Sequence, residues 1–422
     1  MSSQFKIIRG SVVAPRGFLA SGVFCDIKRL GTGRGSNRGP KRDLALIVSE
    51  VQATVAGMFT TNQVCAAPVN NACTASPGLE DAREMTGITA SQLHLPVEQV
   101  LVASTGRIGV RLPMANVRAG IRQAARLLGN DPADASAAAE AIMTSDTRPK
   151  QIAVQFKIDG QPVRLGGICK GAGMIQPGMS RTGARPAATP GGLHATLLCF
   201  LTTDAAIGAK ALQAALEEAV AHSFNRITVD GDMSTNDTVL LLANGAAGTS
   251  QLRTPNTQLA VFQAALNHVC LELAKMIVRD GEGVSRFVTL RVTGAQSFAD
   301  ADAAARAVAN SALVKTSWHG GDPNWGRIMD ALGYSSATVV EGKVDISYSR
   351  PGSRRVLWSL RRGQPTRTSF QALCATVARR EFDLHIRLNL GRTSALLYAA
   401  DLTGEYVDFN KGDVNDPASM GG

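Results

Sequence analysis

Segments with the sequence pattern of strands and of helices alternate irregularly along the chain. The absence of a regular repeat is the strongest constraint on the fold. Apolar or alternating segments predict strands at 44–58 (two strands), 100–103, 152–168 (a hairpin), 195–203, 237–245, 287–293, 343–348, 384–390 and 395–400. Apolar residues at helical spacing predict helices after Pro113, at 209–223 and at 256–279. Because the strands and helices do not form βαβ units, the pattern favours an α+β fold with sheet and helix layers around a shared core.

Three glycine-, proline- and arginine-rich stretches, 28–42, 180–194 and 349–368, are predicted loops. The first and the third hold six basic residues each and no acidic ones. Subtracting these twelve charges from the net charge of +10 leaves −2 for the rest of the chain. With aromatic residues at only 5%, the pattern argues against a nucleic-acid-binding surface.

Composition also bears on the compartment and on metal binding. The chain has 422 residues, enough to bury a large core, and no apolar run reaches the roughly 18 residues that span a bilayer. Its first residues lack the apolar stretch of a secretion signal, so we expect a soluble, cytoplasmic protein. Seven cysteines without a CxxC pair are expected to be buried free thiols, with no metal site.

Polar clusters occur at six places, and in five of them a glycine would let backbone N–H groups approach a substrate closely. The six clusters are ASTGRIG (103–109), MTSDTRPK (143–150), KGAGM (170–174), DGDMSTNDT (230–238), DGEG (280–283) and HGGDPNWGR (319–327). None has the spacing of a phosphate-binding P-loop, and no Gly-x-Ser-x-Gly elbow occurs. A single cluster of this kind is typical of a turn, but six in one chain favour a small-molecule site.

A threonine follows a small residue at the head of a predicted apolar strand, in the stretch HATLLCFLTTD (194–204). Thr196 could be an ordinary β-branched strand residue. It could also be a nucleophile, but a threonine hydroxyl needs a base. A chain cut between Ala195 and Thr196 would supply one, because the new α-amino group, with a pKa of about 8, could take the hydroxyl proton.

Nine segments together resemble one enzyme family, in the family's order and over most of the chain. They are TTNQVCAAPV, ASTGRIG, IMTSDTRPK, KGAGMIQP, ATLLCFLTTDA, FNRITVDGDMSTNDTVLLLANG, RDGEG, LVKTSWHGGDPNWGRIM and DLTGEYVDFN. The chain resembles the ornithine acetyltransferases, also called glutamate N-acetyltransferases. The resemblance implies their fold, the layered α+β arrangement that is also found in DmpA-like aminopeptidases.

The resemblance implies a precursor that cleaves itself between Ala195 and Thr196, giving an α chain of 1–195 and a β chain of 196–422. Thr196 would then carry acetyl from N2-acetylornithine to glutamate by a ping-pong route in arginine biosynthesis. No cofactor is implied, although some members also accept acetyl-CoA as a donor for glutamate. The implied assembly has two α and two β chains.

The resemblance also assigns roles to individual residues. Thr105 and Gly106 would form the oxyanion hole, Lys170 suits the carboxylate that both substrates carry, and Glu282 suits the amine of ornithine. The implied substrate-binding residues are Thr144, Lys170, Thr196, Glu282, Asn410 and Asn415. Asn415 stands where the family usually has a hydroxyl residue.

The chain departs from the family pattern in three places. An insertion, 180–194, directly precedes the expected cleavage point, the segment around 66–75 is shortened, and the loop 28–42 is lengthened. Two other interpretations therefore stay open beside the acetyltransferase. One is an amidase or aminopeptidase with an N-terminal nucleophile, and the other is an unprocessed, inactive relative.

Overall fold

Two large sheets, with helices between and around them, make up the described part of the chain. The computed structural model describes residues 5–28, 41–60, 75–106, 111–181, 197–234, 236–252 and 257–411. The strands in these ranges are β1 (Lys6–Ile8), β2 (Phe18–Val23), β3 (Leu44–Ser49), β4 (Thr54–Phe59), β5 (Lys150–Ile158), β6 (Gln161–Lys170), β7 (Leu198–Thr203), β8 (Ile227–Thr228), β9 (Thr238–Ala243), β10 (Phe287–Ala295), β11 (Asp345–Ser349), β12 (Leu357–Arg361), β13 (Gln364–Pro365), β14 (Glu381–Arg387) and β15 (Thr393–Ala400). The helices are α1 (Ala75–Leu93), α2 (Met114–Arg126), α3 (Pro132–Ala141), α4 (Ala209–Ala221), α5 (Thr257–Arg279), α6 (Phe298–Asn310), α7 (Ala312–His319), α8 (Trp325–Gly333), α9 (Phe370–Val377) and α10 (Gly404–Asn410).

The first sheet has six strands in the order β1-β5-β6-β7-β9-β4. Neighbouring strands are antiparallel except β7 and β9, which are parallel. One face packs against α4 and α5 through residues such as Val154, Leu165 and Leu241. The other face packs against α3 and the small β2–β3 sheet through Ile168 and Phe200. The first sheet is therefore covered on both sides.

The second sheet has seven strands in the order β13-β12-β11-β14-β10-β15-β8. Its apolar face forms a second core with α6, α7 and α8, which includes Leu290, Ile346 and Trp318. Helix α5 lies against the first sheet and also contacts β15 of the second. The α+β expectation is therefore confirmed, as a stack of sheets and helices.

Local chemistry explains several element boundaries. The β5–β6 hairpin turns at Asp159-Gly160, both with positive φ (50° and 79°), as a type I′ hairpin turn requires. Helix α3 begins after Asp131, whose N–H donates to the Asp134 side chain at 3.0 Å, as in a capping box. Pro132 at its first position lacks the N–H that would have no helical partner there.

Most of the expected elements are confirmed, but two expectations are wrong. Residues 100–103, a predicted strand, run as irregular chain and pair with no neighbouring strand in the described part of the structure. The predicted loop 349–368 contains β12 and β13, since Leu360 is buried in the second core and β12 pairs with β11. The other two predicted loops lie largely outside the described residues, as do 61–74.

Helix α5 is long and apolar enough to cross a membrane by length and composition alone. Half of its most apolar window is buried inside the protein, and Phe262, Val269 and Leu273 belong to the core between the sheets. We interpret it as a core helix. The thiol expectation is confirmed for Cys169, Cys199 and Cys270, which are buried and free.

Candidate active site

A buried lysine at the end of β6 forms the centre of the candidate site. The Lys170 side chain is fully buried, and its Nζ donates hydrogen bonds to Thr144 Oγ1 at 3.0 Å and Thr105 Oγ1 at 3.2 Å. Burial lowers the pKa of Lys170 to about 8, although the charges of Asp146 and Asp237 oppose this shift. The structure therefore brings together three residues that the sequence assigned to the site.

Asp146, in the loop before β5, holds the chain around this lysine. It accepts hydrogen bonds from the N–H of Thr144 at 2.9 Å and the N–H of Gly171 at 2.8 Å. Although burial favours its neutral form, the Lys150 and Lys170 charges lower the pKa of Asp146. Asp146 is thus a carboxylate that fixes the two segments carrying Thr144 and Lys170.

A second buried lysine joins the same loop to the DGEG turn after α5. Lys150 Nζ donates to Asp146 Oδ1 at 2.5 Å and to Asp280 Oδ2 at 2.6 Å. Burial opposes its charge, but the two carboxylates raise the pKa of Lys150. Sequence reasoning missed this network, because its partners lie up to 130 positions apart and only the polar clusters around them were visible.

Glu282 follows Asp280 in this turn and faces the KGAGM segment. Its N–H donates to Ala172 O at 2.9 Å, and its Oε2 accepts a hydrogen bond from Asn410 Nδ2 at 3.0 Å. The carboxylate lies against Gly173, where a Cβ would stand 2.5 Å from the Glu282 carboxyl carbon. Burial raises the pKa of Glu282. Hydrogen bonds from Ser145 and Asn410 and the charge of Lys170 act in the opposite direction.

Leu197, the first described residue after the insertion, is tied to a buried carboxyl group. The Leu197 N–H donates to Asp237 Oδ1 at 2.7 Å, and the Thr238 N–H donates to Leu197 O at 2.9 Å. Burial raises the pKa of Asp237 to about 8, opposed by the Leu197 N–H, the Thr60 hydroxyl and Lys170. Ala195 and Thr196 lie just before this anchor, outside the described residues, as does Asn415.

The segment that carries Thr105 and Gly106, the predicted oxyanion-hole residues, is held by a residue just before β9 of the first sheet. Asn236 Nδ2 donates to the carbonyl oxygen of Ser104 at 2.8 Å, next to Thr105. Gly106 is exposed, and space for a Cβ is open around it. Within the described ranges no group of three or more His, Cys, Asp or Glu side chains could hold a metal ion.

A lysine cation, two threonine hydroxyls and a glutamate gathered at the end of a sheet define the class: an enzyme with a site for a small charged molecule. A model of the ArgJ family matches residues 70–412. The chain belongs to the ArgJ family, whose members are acetyltransferases of arginine biosynthesis, and it is an acetyltransferase of that pathway.

Two relatives resemble the chain over almost its whole length, and a solved structure resembles part of it. The arginine biosynthesis bifunctional protein ArgJ of Symbiobacterium thermophilum is 42% identical over 424 residues, covering 96% of this chain and 98% of that protein. The glutamate N-acetyltransferase of Methanocaldococcus jannaschii is 39% identical over 432 residues, covering 96% and 98%. The crystal structure of the Mycobacterium tuberculosis ornithine acetyltransferase complexed with ornithine is 33% identical, with a TM-score of 0.36, and covers 42% of this chain and 100% of that one.

Proposed function

We propose that this acetyltransferase moves acetyl from N2-acetylornithine to glutamate through an acyl-enzyme on Thr196, formed after self-cleavage between Ala195 and Thr196. The observation that carries the proposal is the position of Lys170 between Thr105 and Thr144, in a loop cluster that also holds Glu282. A buried cation suits the α-carboxylate of both substrates, and a carboxylate suits the side-chain amine of ornithine.

The anchoring of Leu197 supports Thr196 as the nucleophile. Two hydrogen bonds made by its backbone groups hold Leu197, the residue that follows Thr196 in the chain, at the head of β7. We propose that Asp237 positions Thr196 in this way. The strands flanking the cleavage point, β6 and β7, are paired, and β7 also pairs with β9, so the cleaved chains would share one sheet.

The chemistry needs only these groups and the two substrates. The α-amine of Thr196 takes the hydroxyl proton, and Oγ1 attacks the acetyl carbonyl of N2-acetylornithine. The C–N bond breaks, the proton passes to the leaving amine, and ornithine departs. The amine of glutamate then attacks the ester, N-acetylglutamate leaves, and the hydroxyl regains its proton.

Thr105 is suited to the oxyanion that develops in both steps. Its hydroxyl oxygen accepts a hydrogen bond from Lys170, so its own proton can be donated to a substrate oxygen. Together with the backbone at Gly106 this would form the oxyanion hole, where loss of one donor typically costs about 3 kcal/mol of barrier. The proposal needs no cofactor, allows acetyl-CoA as a second donor, and includes a cytoplasmic assembly of two α and two β chains.

An intact-mass spectrum under denaturing conditions tests the cleavage. Two species, one ending at Ala195 and one beginning at Thr196, are expected, with only the full chain of 44.2 kDa in the Thr196→Ala variant. Only the full-length species in the unaltered protein would contradict the self-cleavage and support an unprocessed relative.

A transfer assay separates the acetyltransferase from the amidase. The purified protein is expected to release ornithine from N2-acetylornithine in proportion to added glutamate and to form equal amounts of N-acetylglutamate. Release of ornithine with free acetate, independent of glutamate, would instead indicate an N-terminal-nucleophile amidase. Thr196→Ser is the matched variant for Thr196→Ala, because serine keeps both the hydroxyl nucleophile and the α-amine that cleavage creates.

A further inference from the structure

The second sheet carries a row of polar side chains on the face opposite its core. On β10, β11 and β14 the residues that alternate with this row, such as Val292 and Ile386, pack against the helices of the second core. By strand register, Arg291 stands opposite His385, His385 opposite Ser347, and Ser347 opposite Trp358. The row therefore crosses four adjacent strands, outside the candidate active site.

A pocket of about 110 Å³ is formed at this row. Thr293 and Arg387 border it from the next row, where they stand opposite each other on β10 and β14. The pocket is small enough to hold a single compact group, and its lining includes two guanidinium groups and two hydroxyl groups.

The arginines of this pocket are available to a ligand. In the part of the chain that the structure describes, neither Arg291 nor Arg387 forms a salt bridge. Arg387 lies with its guanidinium carbon 5.6 Å from the centre of the Trp358 ring, which limits its orientation.

The acidic groups near the row are engaged elsewhere. Asp383, two residues before His385 on the same face, accepts the N–H of Gly352 at 3.0 Å. Asp345, opposite Arg387, accepts hydrogen bonds from the Arg362 N–H at 2.8 Å and from Asn389 at 3.0 Å. Neither carboxylate lines the pocket, so its net character is positive.

Ser347 independently indicates a ligand. Its side chain is only 1% exposed and lines the pocket, yet its Oγ has no hydrogen-bond partner among the described residues. Buried hydroxyl groups normally have a partner, and one left without a partner destabilises the fold. A ligand oxygen in the pocket would accept the Ser347 proton.

We propose that this pocket binds a phosphate group, held by Arg291 and Arg387 and by the hydroxyl of Ser347. A tetrahedral phosphate presents enough acceptor oxygens for two guanidinium groups and a hydroxyl at once, whereas a carboxylate has only two. The source of the group is either inorganic phosphate or a small phosphorylated metabolite. The site is separate from the acetyl-transfer site, so it does not depend on the proposed function.

Isothermal titration of the full protein at constant ionic strength tests the proposal, with inorganic phosphate and glycerol 3-phosphate as the two probes and acetate as the carboxylate comparison. Saturable binding of at least one phosphate probe is expected, with a Kd of roughly 1 mM or tighter. Tighter binding of glycerol 3-phosphate would identify a phosphorylated metabolite as the source, and tighter binding of inorganic phosphate the free ion.

Three variants locate the binding. Arg291→Gln and Arg387→Gln should each weaken it roughly tenfold or more, since each removes a charge-assisted contact. Ser347→Ala, the mildest change, should weaken it by a smaller factor without affecting folding. Arg361→Gln is the matched control, because Arg361 also stacks on Trp358, at 4.9 Å, but does not line the pocket.

Three outcomes would overturn the proposal. They are no saturable binding of either phosphate probe, acetate binding as tightly as phosphate, and an effect of Arg361→Gln equal to that of the pocket arginines. Acetyl transfer measured on the same samples keeps this test apart from the proposed function, since transfer should be unchanged in all four variants.

Discussion

Two buried lysines, Lys170 beside the first sheet and Lys315 beside the second, both have a pKa lowered by burial but lie in different surroundings. Burial lowers the pKa of both Lys170, at the end of the first sheet, and Lys315, in α7 beside the second, to about 8. Lys170 donates to the side-chain hydroxyls of Thr105 and Thr144. Lys315 donates to the backbone carbonyls of Val229, at 2.6 Å, and Ala400.

The difference shows that a shifted pKa does not by itself mark a functional group. The two backbone carbonyls that accept hydrogen bonds from Lys315 belong to the chain after β8 and to the end of β15. Lys315 therefore connects two structural elements. The hydroxyls around Lys170 belong to short loops at a sheet end, and a substrate could share them. The partners therefore distinguish a structural lysine from a candidate substrate-binding one.

The largest expected effect is on catalysis, in Lys170→Met. We expect kcat/KM for glutamate to fall about 100-fold, because the variant loses a charge-assisted contact with the substrate carboxylate and the donor that orients Thr105. Folding should be largely retained, since methionine fills similar space. Steady-state kinetics and thermal unfolding measure both, with the exposed Lys210→Met as control. Unchanged kinetics would remove Lys170 from the site.

Lys315→Met should show the reverse pattern. Two buried carbonyl oxygens lose their donor, so the free energy of unfolding should fall by about 2–4 kcal/mol, while kcat/KM changes little at a temperature where the variant is folded. Chemical denaturation followed by circular dichroism gives the first quantity. A variant with full stability and no activity would reverse our assignment of the two lysines.

The pH dependence separates the two lysines further. We expect kcat/KM for glutamate to decrease above pH of about 8, as Lys170 loses the proton that binds the carboxylate. The residual activity of Lys170→Met should lack this decrease. If the decrease persists in the variant, another group causes it, and Asp237, whose pKa is also about 8, would be the next to test.

For Lys315 the pH effect is on stability. Its folded pKa of about 8 is below the ordinary value of 10.5, so between these values the unfolded chain binds more protons. Stability from this group therefore rises with pH across that window, and the rise should be smaller in Lys315→Met, where the similar contribution of Lys170 remains. Denaturation midpoints at pH 7.5 and pH 9.5, roughly either side of the lower value, measure it.

The smallest effect is expected from Gly173→Ala. The added Cβ would displace the Glu282 carboxylate, so KM for N2-acetylornithine should rise roughly tenfold while the unfolding temperature stays close to normal. Gly208→Ala is the control, because a Cβ there would meet only Gln251, at an ordinary 3.6 Å. An equal effect of both substitutions on KM would show that Glu282 does not contact the substrate.

Much of the fold and part of the site were predictable from local pattern. The helix after Pro113 shows its buried face at Val117, Ile121 and Ala124, and the hairpin at Asp159-Gly160 needs only its turn residues. The family motifs pointed to Thr105, Thr144, Lys170, Glu282 and Asn410, which the structure gathers in one region. In contrast, β12 was missed because arginines and glycines surround it and its burial depends on pairing with β11.

The chain's family, its elements where periodicity or turn chemistry is strong, and the residue types of the candidate active site follow from the amino-acid sequence alone. The contacts of the folded chain pair Lys150 with Asp146 and Asp280, place Lys315 among carbonyls, and put Ser347 in the lining of a basic pocket. These features could not be predicted because burial and electrostatic partners depend on contacts between distant segments. Local patterns of residues do not encode the distances on which those contacts depend.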